Sequence, residues 1–490
     1  MQIPKIFLLT GLVVSMASGC NDFIERPTPA QSLPSDAAFS DVPGLQTALV
    51  GAYDAVQNAD FGAAGIAMNS SILSDNADWR GSFPSYAEMY ERQLTPSNAE
   101  VNGLWYQAYL AINQANLVIR GVETIDDPNL TEDVAAQLRG EALFIRAFSH
   151  FELVKAFAQP YGADSGSDLG VPVITTPTAT SGDITFPARN TVAEVYNAVI
   201  SDLMTAQDLL GPDYEYGFAS GTAATALLAD VYFQQRNYEQ AAALAEEVIN
   251  TPGYSLTDSP EQPFFNEGTS EEIFAVVSTV QDNPGVNGSL ATFHNINGRG
   301  GDIVVNQALQ NQGYFQIITD EEIAAAGGDS LVDLRLARLA APNAAGFYNV
   351  EKYDDFANNS DDLIVLRLAT YYLMRAEALV RLEGVNEESI ELLNTIRNRS
   401  LRRVSADGTP MKDAELFSYS EDDFDSPEEL IDAIVLERWV ELAFEPNRLN
   451  DLKRLMRSVR GLPYDSDNLV FPIPQRELDA NDQLVQNSGY

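Results

Sequence analysis

The chain has 490 residues, 71 of them acidic against 29 basic, for a formal net charge of −42 at pH 7; only five of the cations are lysine. Such a surface repels phosphate backbones and anionic lipid, which argues against nucleic-acid binding. A single cysteine rules out a disulfide framework within the chain.

The acidity has two readings, a cation-attracting patch or adaptation of the whole surface to high salt. The acid is spread along the chain and lysine is scarce throughout, which favours a halophilic source. No run after the first residues has the eighteen or so apolar positions of a membrane helix.

At the N-terminus Lys5 precedes an apolar run over 6–14, and the small residues Ala17, Ser18 and Gly19 precede the lone Cys20. That is the layout of a secretory signal peptide over 1–19. With the cysteine directly after the small residues it resembles a bacterial lipobox, in which the thiol is acylated. Each buried methylene contributes about 0.8 kcal/mol, so two or more acyl chains anchor stably. The other reading is a buried cysteine beside an ordinary cleavage site. The polar, Pro-rich stretch over 20–36 reads as a tether.

From there the pattern is mostly helical. "DVPGLQTALVGAYDAVQNAD" repeats Leu45, Leu49 and Tyr53 at four-residue spacing. "GLWYQAYLAINQANLVIRGV" and "TEDVAAQLRGEALFIRAFSHFELVKAFA" are amphipathic, the second opened by Thr131 as an N-cap. The Pro-, Gly- and Thr-rich segment over 159–191 predicts a long loop with brief extended pieces. Thr191 and Glu194 then form a capping-box pattern for another helix.

"GTAATALLADVYFQQRNYEQAAALAEEVINTPG", 221–253, carries Leu228, Ala229, Tyr232 and Ala241 at the spacing of a tetratricopeptide unit, with Pro252 ending its second helix. "ATYYLMRAEALVRLEG" with "ESIELLNTIRNRS" is a weaker pair of the same kind. One good unit cannot stack into a solenoid, so these pairs are expected inside a larger helical body. "EEIFAVVST" reads as a strand followed by Gly/Asn-rich sequence, "SPEELIDAIVLERWVELAFEPNRLNDLKRL" as helix, and the last residues from "NLVFPIPQ" onward as extended chain.

Several of these segments, in this order, carry a resemblance. "RGEALFIRAFSHFELVKAFAQPYG", "LGVPVITTPT" followed by "TVAEVYNAVISDL", "ERWVELAFEPNRLNDLKR" and "FPIPQRELDANDQLVQNSGY" are similar to blocks of the SusD/RagB outer-membrane lipoproteins, with Pro446 where that family more often has Gly. The resemblance covers essentially the whole mature chain. It implies a mostly α, SusD-like body with tetratricopeptide-type helix pairs, long irregular loops and minor β. The expected division is a SusD-like part over about 37–215, the repeat unit over 221–253 and a C-terminal RagB/SusD part over about 270–490, all one domain. It also implies a partner, a SusC-like TonB-dependent transporter barrel on which the protein sits as a lid at the cell surface.

Catalysis by common routes lacks its residues. His150 lies in an apolar helical run and reads as structural, and no nucleophile-elbow, zincin or P-loop pattern occurs. The acidic clusters "SEDDFDSPEE" and "YDDFANNSDD" lack EF-hand spacing and read as solvated surface. No cofactor and no metal are expected.

For binding, "SDNADWRGSFPSYAEMY" over 74–90 stands out. A sugar needs an aromatic platform and polar groups around its edge. Trp79 could be the platform, Asp75, Asn76 and Arg80 the hydrogen-bonding groups, with Tyr86 in the same stretch; the alternative packs Trp79 in the core or on a transporter rim. The resemblance places ligand contacts in loops of this region and in a second one matching 281–300, where Phe293, His294 and Asn295 are candidates. Trp105 and Trp439, within helical runs, read as core, and Arg438, Arg448 and Asp451 as a structural ion-pair network. The function these readings imply is capture of an oligo- or polysaccharide for a transporter. Peptide capture, as in RagB-like members, and a tetratricopeptide scaffold that binds only protein are the alternatives.

Overall fold

The computed structural model describes residues 39, 41–212, 215–265, 268–311, 330–335, 340–404, 410–411 and 418–490. The signal-peptide, lipid-anchor and tether expectations, Cys20 included, lie outside the described residues.

Helices dominate because the apolar periodicity is met by caps. α1 (Val42–Gln57) starts where the Asp41 carboxylate accepts from the Gly44 amide at 2.9 Å, and buries Leu45, Leu49, Ala52 and Val56. α2 (Gly65–Leu73) is buried throughout. After α3 (Pro84–Tyr90) come two 26-residue helices, α4 (Ala99–Thr124) and α5 (Glu132–Phe157). Thr131 caps α5 through the Val134 amide at 3.3 Å. Its second half is buried nearly all round, Arg146, Ser149, His150 and Glu152 included, as a helix packed on every side must be. α6 (Val192–Leu209) opens with the Thr191–Glu194 capping box.

The repeat unit folds as α7 (Gly221–Gln234) and α8 (Tyr238–Asn250), with Leu228, Ala229 and Ala241 buried and Tyr232 half-buried. Short helices and strands follow: α9 (Gln262–Phe265), β2 (Glu272–Val276), α10 (Leu290–His294), α11 (Gln307–Leu309), β4 (Ser330–Asp333) and the strands named below. The second pair is α12 (Leu368–Glu383) and α13 (Glu387–Ser400). α12 packs on α8, so two helix pairs separated by more than a hundred residues of chain lie side by side. Consecutive packing of α4 on α5, α5 on α6, α6 on α7 and α7 on α8 completes one layered body.

Three stretches differ from expectation. The C-terminal helical run is two helices, α14 (Pro427–Glu441) and α15 (Arg448–Arg454), broken where Phe444 turns to φ 68° just before Pro446. The closing segment is not wholly extended, because Pro474 initiates a short helix, α16 (Gln475–Ala480). The 74–90 stretch is largely regular, holding strand β1 (Ala77–Trp79) and α3 with Pro84 at its first turn.

His150 reads as structural and is so, beside an arginine that ties three helices together. Arg146 forks onto Asp202 at 2.7 Å on both nitrogens and donates to Asn116 at 2.8 Å, tying α4, α5 and α6. His150, one turn on, has Nδ1 at 3.0 Å from the Arg146 carbonyl, and its Nε2 accepts from the Ile174 amide at 3.2 Å. Accepting at Nε2 requires the neutral ring; burial, with Arg146 beside it, pushes the imidazole down to about 3. The unfolded chain takes the proton near 6.5, so the stability from neutral His150 is complete above that pH and declines below it. The stability of the wild type relative to His150→Gln should therefore drop by about 3 kcal/mol between pH 7 and pH 4. Urea titrations at both pH values read this, and a constant difference would contradict it.

Candidate functional site

β1 pairs antiparallel with β3 (Ile303–Val305), matching Ala77 with Val305 and Trp79 with Ile303. Alternation along the strand sends Ala77 and Trp79 inward and Asp78 to the other side. Trp79 is only 8% exposed. Its ring lies 5.1 Å from Tyr86 and 6.3 Å from Phe293, and Phe83 closes the cluster at 6.2 Å from Tyr86 and 5.8 Å from Phe293. Gly81 makes this possible: a Cβ there would sit 2.4 Å from the Trp79 ring and 2.6 Å from the Asp302 carboxyl.

Above the cluster two arginines lie on rings. The Arg80 guanidinium is 3.9 Å from the centre of Phe347, and that of Arg299 is 4.6 Å from Phe83. Phe347 is delivered by the hairpin of β5 (Ala340–Pro342) and β6 (Tyr348–Val350), whose turn uses Gly346 at φ 81°. Arg299 also pairs with Asp302 at 3.0 Å; burial nonetheless pushes the Asp302 carboxyl up.

The remaining candidates are turned elsewhere. Asp75 takes a two-pronged ion pair from Arg448, 2.7 Å on each nitrogen, and Asn76, fully buried, accepts from the Trp439 indole at 2.7 Å. Both tie the start of β1 to α14 and α15, and Arg448 stacks on Trp439 at 3.7 Å. Arg448 therefore pairs with Asp75, while Arg438 pairs with Asp451 at 2.8 Å. His294 is fully buried, with Nδ1 2.8 Å from the Leu290 carbonyl, and burial pushes it down to about 4. Asn295 donates to Glu351 at 2.8 Å.

The fold thus gathers Trp79, Tyr86 and Phe293 into one aromatic base with Arg80 on its outer edge. It does not bring Asp75, Asn76, His294 or Asn295 to that surface, because each is spent on a long-range tie or a buried turn. Trp79 is a base rather than an open platform, since it is buried under the rings of Tyr86 and Phe293. Phe83, Phe347 and Arg299 complete the face and were not singled out from sequence. Phe83 stood in the same stretch; Phe347 had no signal, as its role depends on a hairpin packing against β3, the partner of β1.

A second concavity lies on another side. Trp105, Tyr106 and Tyr109 of α4, Ile184 and Phe186 of the long loop, and Arg476 of α16 line a groove of about 560 Å³. Trp105 is its buried floor, as expected of a core residue, while Tyr106 and Phe186 are 47% and 57% exposed. That volume and apolar lining suit a small organic ligand. Among the described residues no helix is long and apolar enough to cross a membrane.

Comparison with known proteins follows the same lines. Residues 22–233 match a SusD-like family described as starch-binding and associating with the outer membrane, and residues 344–469 match the SusD family. SusD-like protein P2 of Formosa agariphila is 27% identical over the whole of this chain and 99% of its own. A putative sugar-binding protein from Bacteroides vulgatus superposes with a TM-score of 0.75 at 25% identity, covering 92% of this chain and 99% of that one. A laminarin-binding SusD-like protein shares the fold, with a TM-score of 0.66 at 22% identity over 91% of this chain and 99% of its own.

Proposed function

The chain belongs to the SusD/RagB family, and from that premise we propose that it is a non-catalytic surface lipoprotein that captures glycan and passes it to a partner TonB-dependent transporter. In this reading acyl chains on Cys20 hold it to the outer membrane, facing the exterior. The observation that carries glycan capture is the face over the Trp79 cluster, where the half-buried rings of Phe83 and Phe347 each bear an arginine. Ring faces meet the C–H side of a pyranose and guanidinium N–H groups meet its hydroxyls. Tyr86 and Phe293, backed by Trp79, hold the Phe83 ring in place, and Arg80 makes the contact. The exposed rings of the α4–α16 groove favour a second position for the same ligand class.

Retention of fluorescent polysaccharides by cells displaying the full chain tests this. Wild-type cells should retain at least one polysaccharide of a broad panel. Cys20→Ala should release the protein to the medium; an unchanged cell-bound fraction overturns acylation. The double variant Arg80→Ala/Phe347→Ala should stay on the cells and lose the polysaccharide. If Tyr106→Ala/Phe186→Ala loses it instead, the groove is the site. Peptide retained with no polysaccharide bound would favour the RagB-like alternative.

A further inference from the structure

In a chain with 71 acids and 29 cations, an arginine readily finds a carboxylate, and the buried ones described above do. Three arginines that meet beside β1 do not. The Arg460 guanidinium lies 4.0 Å from the ring centre of Tyr90. Arg92 donates to the Arg460 carbonyl at 3.4 Å and to that of Leu73 at 3.1 Å, and Arg460 donates to Ile72 at 3.2 Å. Arg80 rests on Phe347, is exposed, and donates no side-chain hydrogen bond to a described residue.

The acid between them is Asp78. One of its oxygens already accepts from the Tyr90 hydroxyl at 2.8 Å and from Asn306 at 2.7 Å. The end of α2, whose last carbonyls take the Arg92 and Arg460 donors, adds about half a negative charge. Three guanidiniums therefore exceed the negative charge that meets them. Two further features mark the spot. Arg92 Nε is buried without a partner. Arg92 and Arg460 sit at φ 59° and 47°, a left-handed region that costs a side-chain-bearing residue and persists where the surroundings demand it. Burial, then the charge of Arg460, pulls Arg92 down to about 10.

Resting on the glycan reading above, we propose that Arg80, Tyr90, Arg92 and Arg460 form an anion subsite of the ligand face, so that the captured glycan carries carboxylate or sulfate groups. A planar guanidinium binds such groups through paired N–H donors. Arg92 and Arg460 also close the end of α2; Arg80 has no such task and is the arm that reaches the ligand. The net charge of −42 does not oppose this at contact range. The screening length is about 8 Å at physiological salt and 3 Å at 1 M, so distant acids fade while contacts within the patch persist.

The test runs purified protein in native gels at 0.15 M salt. The gels contain polygalacturonate, alginate or a sulfated galactan, each beside its carboxyl-reduced or desulfated form, with neutral glucans as a further arm. At least one charged polymer should bind about tenfold more tightly than its neutralised form, and Arg80→Ala should remove about that tenfold while thermal unfolding stays unchanged. Arg80→Lys, which keeps the charge and loses the paired donors, should recover only part of it. Equal binding of charged and neutralised polymers, indifference to Arg80→Ala, or binding of neutral glucans alone overturns the anion subsite and leaves glycan capture standing. Failure of every polysaccharide, charged or neutral, removes glycan capture itself.

Discussion

Arg367→Met is expected to lower the free energy of unfolding by about 3–5 kcal/mol, because it leaves a buried cluster of carboxylates one cation short. Arg367 is 1% exposed and ends β7 (Leu363–Arg367), which pairs with β2. Its guanidinium meets Glu445 at 2.8 Å and 2.9 Å, Glu271 at 2.9 Å, and the Glu441 carboxylate and carbonyl at 2.8 Å each. Arg399 of α13 bridges the same Glu271 and Glu441, and Arg335 joins Glu441 to Glu437. Lys352 meets Glu445 at 2.6 Å. Burial alone would raise the Glu441 carboxyl, but Arg399, Arg367 and Arg335 hold it well below the usual range. Methionine fills much of the volume yet offers no donor, so the carboxylates remain charged in a dry interior. Urea unfolding at pH 7 measures the loss. The control is Arg457→Met, whose pair with Asp432 is largely exposed and should cost under about 1 kcal/mol. Equal effects of the two substitutions would show that the buried network adds nothing beyond a surface pair.

Trp79→Ala should cost a similar amount, about 3–5 kcal/mol, since it removes a buried ring packed on Tyr86 and Phe293. Weakened polysaccharide retention is expected as a consequence, because Tyr86 and Phe293, on which the Arg299-bearing ring of Phe83 packs, lose their support. The two effects separate experimentally. Calorimetry should show a clear fall in unfolding temperature for Trp79→Ala and a smaller one for Phe347→Ala, whose ring is half-buried. Lost retention with an unchanged unfolding temperature would instead make Trp79 a ligand-facing platform.

What the sequence determined by itself was local. Leu45 and Leu49 mark the buried side of α1, Thr131 caps α5, and Thr191 with Glu194 opens α6, because caps and helical faces depend on residues three or four apart. The ordered blocks that resemble the SusD/RagB family were legible for a related reason: each is a contiguous run. Only the tertiary structure decided where Asp75 and Asn76 point, since their partners Arg448 and Trp439 lie 373 and 363 residues away. It likewise set α8 against α12, and Phe347 under Arg80. A side chain's type and local pattern say what it can bind, and Trp79 serves equally as platform or as core. Which of these it becomes depends on what distant chain is brought against it, a choice made by the packing of the whole body and carried by no short stretch.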